Sequence, residues 1–181
     1  MMRDMSEKRI MKYRDELDKS YGIAGMALGL SLLDADDLFT AVTLDGDGPG
    51  CIRFTPEFYF AGNPRLSPRG AWQYIVGHYR ITVGLAVANA LCRRMVLDNG
   101  SVDDKLRDDL FNAAYEDGKD FCQLERDEVE PIFDEAFDNM SRLFSDSQVR
   151  KAMDTFVDAL QRRRTLSHID VADILQQLNL I

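Results

Sequence analysis

The feature that most constrains this chain is the run from Trp72 to Ala90, where apolar residues recur at helical spacing and then fill most of the remaining circumference. Trp72, Ile75, Val76, Tyr79, Val83, Ala86, Val87 and Ala90 form one stripe, and Tyr74, Ile81, Leu85 and Ala88 occupy much of the other side. A helix apolar nearly all round belongs at the centre of a fold, with other elements wrapped around it. Ser67 and Pro68 mark its start, serine as N-cap and proline at the first helical position. Asp98-Asn99-Gly100 marks its end. Its few polar members, Gln73, His78 and Arg80, are the residues that need an account. Arg80 is expected to pair with an acid, Glu57 or Asp45, because an unpaired buried charge is strongly destabilising.

The elements that could wrap this helix are mostly helical themselves. Residues 4–19 read as a charged amphipathic helix with Ile10, Leu17 and Tyr21 on one side, continued by the apolar run Ile23 to Leu30. Gly22, Gly25 and Gly29 fall at i, i+3 and i+7, a stripe that permits close helix packing. No G-K-[ST] follows it, and Asp34-Ala35-Asp36-Asp37 would repel a phosphate. The grammar then changes. Leu38 to Leu44 is β-branched and aromatic, Asp45 to Gly50 is dense in turn residues, and Cys51 to Phe54 is a second strand, which together predict a β-hairpin. Thr55 to Phe60 leaves the strand, and residues 61–66 form a loop containing Pro64.

Beyond Gly100 the pattern is a helical array. Ser101 to about Glu125 reads as one helix weakened near Gly118. Val129, Ile132, Phe133, Ala136, Phe137, Met140 and Phe144 form the stripe of the next. Ser145 to Gln148 contains a capping box for a helix with Val149, Ala152, Met153, Phe156, Val157 and Leu160 facing inward. Thr165-Leu166-Ser167 is read as the start of a last short helix through Leu178. The expected fold is α+β and predominantly helical, with about six helices and a small hairpin or sheet inserted at residues 38–60. One domain spans 1–181, with hairpin and central helix in 38–100 and the helical C-terminal part in 101–181.

Charge and cysteine usage exclude several classes. The formal net charge of −9 argues against nucleic-acid binding, which needs a positive footprint. The one basic run, Arg162-Arg163-Arg164, falls where a helix should end and cations suit the dipole. Cys51, Cys92 and Cys122 are far apart with no C-x-x-C pair, so they read as free thiols of a reducing compartment. The charged beginning lacks a signal-peptide core. The most apolar stretch, Ile23 to Leu33, is about half a bilayer span in length. A cytoplasmic protein with no membrane and no nucleic-acid partner is expected.

One stretch carries a recognisable order. Thr43-Leu44-Asp45-Gly46 at the hairpin turn, Thr55-Pro56-Glu57-Phe58 after it, and His78-Tyr79-Arg80-Ile81-Thr82 on the central helix follow one another over residues 38–82. This order resembles the zinc-metallopeptidase domain that in bacteria often precedes a von Willebrand-like domain. There a hairpin with a TDG turn leads to a PEF segment and then to a helix bearing H-E-x-x-H. The resemblance implies that scaffold, and with it a zinc site on the helix. The i, i+4 spacing lets two imidazoles reach one metal while the glutamate acts as base. Here only the first histidine is kept, as His78. Tyr79 stands at the glutamate position and Thr82 at the second histidine. The resemblance therefore implies the fold of a metallopeptidase without its catalyst, a pseudoenzyme.

Other chemistries have less to build on. His78 on an apolar helix is expected as a core histidine bonded to a carbonyl or carboxylate; as a metal ligand it would need Glu57 beside it. His78, Arg80, Glu57 and Asp45 form the candidate polar cluster. Asp45 and Asp47 open like a calcium loop, but Pro49 and Gly50 follow and no glutamate sits at the twelfth position. Glu130, Asp134 and Asp138 make an acidic stripe, read as a solvated face. No G-x-S-x-G elbow and no G-x-G-x-x-G is present. The expected function is a non-catalytic interaction or scaffold domain with a protein partner or self-association, and no cofactor. Two alternatives remain. One is an acidic helical adaptor or chaperone unrelated to peptidases. The other is a metal-dependent hydrolase, with zinc or another metal held by His78 and carboxylates such as Glu57, Asp103 or Glu116.

Overall fold

The glycine stripe sets the arrangement of the whole molecule. In the computed structural model, which describes residues 12–59 and 67–179, Gly22, Gly25 and Gly29 lie on helix α1 (Glu16–Leu32) and face helix α3 (Pro68–Leu91). A Cβ built on Gly25 would lie 2.5 Å from the Ala88 carbonyl oxygen and 2.6 Å from Cys92 Cβ. Only hydrogen allows these two helices to come so near. Both flank the core, and α1 is buried along nearly its whole length from Asp18 to Leu30.

Seven α-helices and one three-stranded sheet are found among the described residues. After α1 come strands β1 (Phe39–Thr43) and β2 (Ile52–Phe54), the one-turn helix α2 (Pro56–Tyr59), and then α3. Helices α4 (Asp104–Cys122), α5 (Arg126–Ser145) and α6 (Ser147–Arg163) follow, then strand β3 (Thr165–Ser167) and helix α7 (His168–Gln177). The α+β, mostly helical expectation holds. The stripes expected of α5 and α6 are buried at every position, including Phe133, Phe144, Phe156 and Leu160 at 0% exposure.

Several local expectations are corrected. Residues 12–15 are not helical: the Asp15 carboxylate accepts the Asp18 N–H at 2.8 Å and caps α1 at Glu16. The part of that expected helix before residue 12 lies outside the described residues, as does the loop 61–66. The cap of α6 is Asp146, not Ser145. Its carboxylate takes the N–H groups of Gln148 and Val149, and a carboxylate is the stronger acceptor there. Helix α4 begins at Asp104, with Asp103 as cap, and runs through Gly118. Thr165 to Ser167 is a strand rather than helix: Leu166 pairs with Val42 and Thr165 with Thr43, giving the sheet order β2-β1-β3. Ser167 and Asp170 then close a capping box that starts α7.

The basic run ends α6 as expected, and it is fully engaged. Arg164 reaches Asp45 at 2.8 Å and Glu16 at 3.1 Å, and Arg163 reaches Asp170 at 2.8 Å. All three cysteines are buried free thiols. At its C-terminal end α3 widens into a π-helical turn, Cys92–Leu97, which no sequence signal marked. This turn brings Arg93 onto Asp18, at 2.6 and 2.8 Å, with Asp18 1% exposed. Together with that turn, α3 is long and apolar enough to cross a membrane, and more than half of its most apolar window is buried in the fold. It is a longer apolar segment than the Ile23 to Leu33 run.

Candidate functional site

Helices α1 and α3 are antiparallel, so their contacts descend α3 as they ascend α1. Gly22 meets Asn89, Gly25 meets Ala88 and Cys92, Gly29 meets Ala88 and Leu85, and Leu33 lies over Gly84. The next position on that face of α3 is Gly77, two turns before Gly84. No residue of α1 reaches it. The helix stops at Leu33, whose N–H still bonds to Gly29, while Ala35 N–H bonds back to the Leu30 carbonyl at 2.9 Å. Asp34 turns the chain away at a φ of 51°.

The groove left vacant is a cleft of about 540 Å³. Its apolar walls are Leu32 and Leu33, Leu38, Phe58 of α2, Ile81 of α3, and Ile132 and Ala136 of α5. A Cβ placed on Gly77 would touch nothing within 4 Å. A second, smaller cavity of about 280 Å³ shares Gly77 and Arg80 and adds Trp72, Gln73 and Val76. The amino-terminal half of α3 is thus not the fully buried element its composition implies. Trp72 is 45% exposed, and Ile75, Val76 and Ile81 are only partly covered.

His78 looks into this cleft with its ring 4.2 Å from that of Phe58. The hydrogen bond to a carbonyl or carboxylate expected of a core histidine is not formed; the imidazole has no such partner among the described residues. Burial pushes its pKa below the ordinary 6.5, so it is neutral at pH 7 and offers one N–H and one lone pair. Phe58 is held by Phe54, stacked at 3.7 Å, and the neighbouring Tyr74 hydroxyl donates to the Glu57 carbonyl. The segment after the hairpin therefore lies directly against the helix that carries His78.

The two residues after His78 that a zinc site would require are committed elsewhere. Tyr79 is 3% exposed and points at α4, where its hydroxyl donates to the Ala114 carbonyl at 2.6 Å and its ring sits over Gly118. That contact, rather than helix weakness, accounts for Gly118. Thr82 returns its hydroxyl to the His78 carbonyl at 3.1 Å within the helix. Among the described residues no three His, Cys, Asp or Glu side chains converge as a metal would need. Glu116 is exposed on α4, and Asp103 accepts the Leu106 N–H as the cap of that helix. The described residues do not fit a zinc ion.

The remaining members of the candidate cluster separate. Asp45 pairs with Arg164, not with Arg80. Arg80 is exposed rather than buried and forms no ion pair among the described residues, so the burial argument for its partner does not apply. Glu57 is exposed, and only its backbone takes part. His168 lies edge-on to Phe39 at 5.3 Å, away from His78's cleft. The structure brings together instead His78, Phe58, Gly77, Arg80, Asp34 and Glu135. Gly77 and Glu135 were not singled out from the sequence, and Asp34 only within the acidic run that would repel a phosphate. The available signal was the pair Gly77 and Gly84, spaced by two turns on an otherwise apolar helix. Comparison with protein-family models, with curated proteins and with solved structures finds no match to this chain.

Proposed function

We propose that this protein is a non-catalytic interaction domain, built on a metallopeptidase-like core that lacks the zinc motif, and that it engages a partner protein through the cleft over Gly77. The observation that carries this reading is the contrast among glycines. A Cβ on Gly22, Gly25, Gly84 or Gly118 would meet another atom at 2.5–2.7 Å, and one on Gly29 at 3.2 Å, whereas one on Gly77 meets open space. A glycine within a helix costs about 1 kcal/mol relative to alanine, and at Gly77 no contact among the described residues repays it. The cleft volume lies within the usual range of binding sites, and its walls are mainly apolar with one neutral imidazole to orient an occupant.

Support for the metallopeptidase-like ancestry comes from the order hairpin, Pro56-Glu57-Phe58, then His78, with Phe58 resting on His78. Support for the absence of catalysis comes from Tyr79 and Thr82, whose hydroxyls are spent on Ala114 and on the helix itself. The test is elemental analysis of protein purified without chelator, beside His78→Ala. The expected result is no stoichiometric metal in either. Stoichiometric zinc, iron or manganese that disappears in His78→Ala would replace this reading with a metal-dependent one.

A further inference from the structure

Resting on that docking reading, we infer that the occupant of the cleft is a basic amphipathic helix of a different protein, lying on α3 in the line of α1, with a large apolar side chain over Gly77 and a lysine or arginine between Asp34 and Glu135. The helical form follows from continuity. The cleft extends the α1–α3 groove beyond the point where α1 turns away, and its lining comes from α1, α3 and α5 as well as Phe58. A helix is already the shape this groove accepts over Gly84, where Leu33 fills it.

The charge follows from the rim. Asp34 and Glu135 both line the cleft, both are exposed, and neither forms an ion pair among the described residues. The carboxy-terminal end of α1 opens on the same rim, with no basic residue in its last turn to offset the negative end of its dipole. Among the described residues Arg80 is the one cation in the lining. A second copy of this chain is disfavoured as occupant. Two molecules of net charge −9 repel, and a copy would bring its own acids to an acidic rim.

Trp72 is the sole tryptophan and lies in the adjoining cavity, so its fluorescence reports directly on this face. The probes are two tryptophan-free model helices with the same leucine stripe, one with lysine and the other with glutamate on its polar face. The lysine peptide is expected to shift Trp72 emission saturably, and the glutamate peptide to bind about tenfold more weakly or not at all. Asp34→Asn with Glu135→Gln should weaken the lysine peptide about fivefold, two exposed ion pairs being worth roughly that. Asp108→Asn with Asp120→Asn makes the same charge change on α4, outside the cleft, and should leave its affinity within twofold. Leu32→Glu, at a side chain already 47% exposed, should abolish binding without unfolding the protein.

Equal binding of both peptides, or equal weakening by the α4 pair, overturns the charge assignment and leaves the docking face standing. No Trp72 response to either peptide overturns the docking face itself. Light scattering that shows a dimer lost in Leu32→Glu would make a second copy the occupant and overturn the inference.

Discussion

The two halves of α3 are both largely apolar, yet they have opposite surroundings. From Val83 to Leu91 all positions but Ala86 are buried, and α1 lies so close that only hydrogen fits at Gly25. From Trp72 to Ile81 the apolar residues are half-covered, Tyr79 excepted, and two cavities share Gly77 in their linings. The open half carries the polar Gln73, His78 and Arg80, and the neighbour adds to the difference: α1 covers the second half and ends before it reaches the first. Helix composition therefore states how much surface could be buried, while the partner's length decides how much is.

The strongest way to break the comparison is to make the packed half behave like the open one. Gly25→Val would drive methyl groups into the Ala88 carbonyl and Cys92, and helix backbone cannot yield as a flexible side chain can. Its cost should be about 3–4 kcal/mol, at the upper end of overpacking effects, read by urea denaturation. A cost under about 0.5 kcal/mol would mean that α1 and α3 are not in this contact.

The packed half is also pinned electrostatically, at Asp18 and Arg93. Burial alone would raise the Asp18 pKa, but hydrogen bonds from Arg93 and Arg14 outweigh it and hold the carboxyl down at about 2, against an ordinary 3.8. A carboxyl with a depressed folded pKa stabilises above its unfolded pKa and loses that contribution as pH falls through the folded one. About 2 kcal/mol should therefore fade between pH 3.8 and about 2. Asp18→Asn should cost about 2–3 kcal/mol at pH 7 and flatten that part of the stability profile. An unchanged acid limb in the variant would assign the acid sensitivity to other groups.

Tyr79 marks the boundary between the halves, the one residue of the His78 turn that is fully enclosed. Tyr79→Phe removes the bond to Ala114 and should cost about 1 kcal/mol with no change in the Trp72 emission. A shift in Trp72 emission would show the cleft and the Tyr79–Gly118 contact to be one unit.

These contrasts explain what the sequence made readable. Stripes at helical spacing placed the buried faces of α5 and α6, and the i, i+3, i+7 glycines announced a close approach before its partner was known. The hairpin was legible because Asp45 to Gly50 is dense in turn residues between two strand-like runs. Strand β3 was not: three residues become a strand only because Val42 and Thr43 lie beside them, a tertiary fact with no local trace. Asp146 and Ser145 are both capping residues, and their order along the chain does not choose between them. The expected cluster around Arg80 failed for the same reason as the all-buried α3. It assumed cover over a stretch that α1 does not reach. The cleft itself was invisible, because a vacancy has no residues of its own.

The smallest expected effect bears most directly on that vacancy. Gly77→Ala adds a methyl group to open space in the middle of a helix, so it should stabilise the protein by about 0.5–1 kcal/mol through lower unfolded-state entropy and better helix propensity. Gly84→Ala, two turns on, places its methyl 2.6 Å from Leu33 and should destabilise or at best break even, since the flexible Leu33 must move aside. Opposite signs for two chemically identical substitutions on one face of one helix would show that α1 covers the second site and nothing within the chain covers the first. If Gly77→Ala is as costly as Gly84→Ala, the groove over Gly77 is filled from within the molecule. If it stabilises the fold while weakening the lysine-faced helix, the glycine is kept for what docks there.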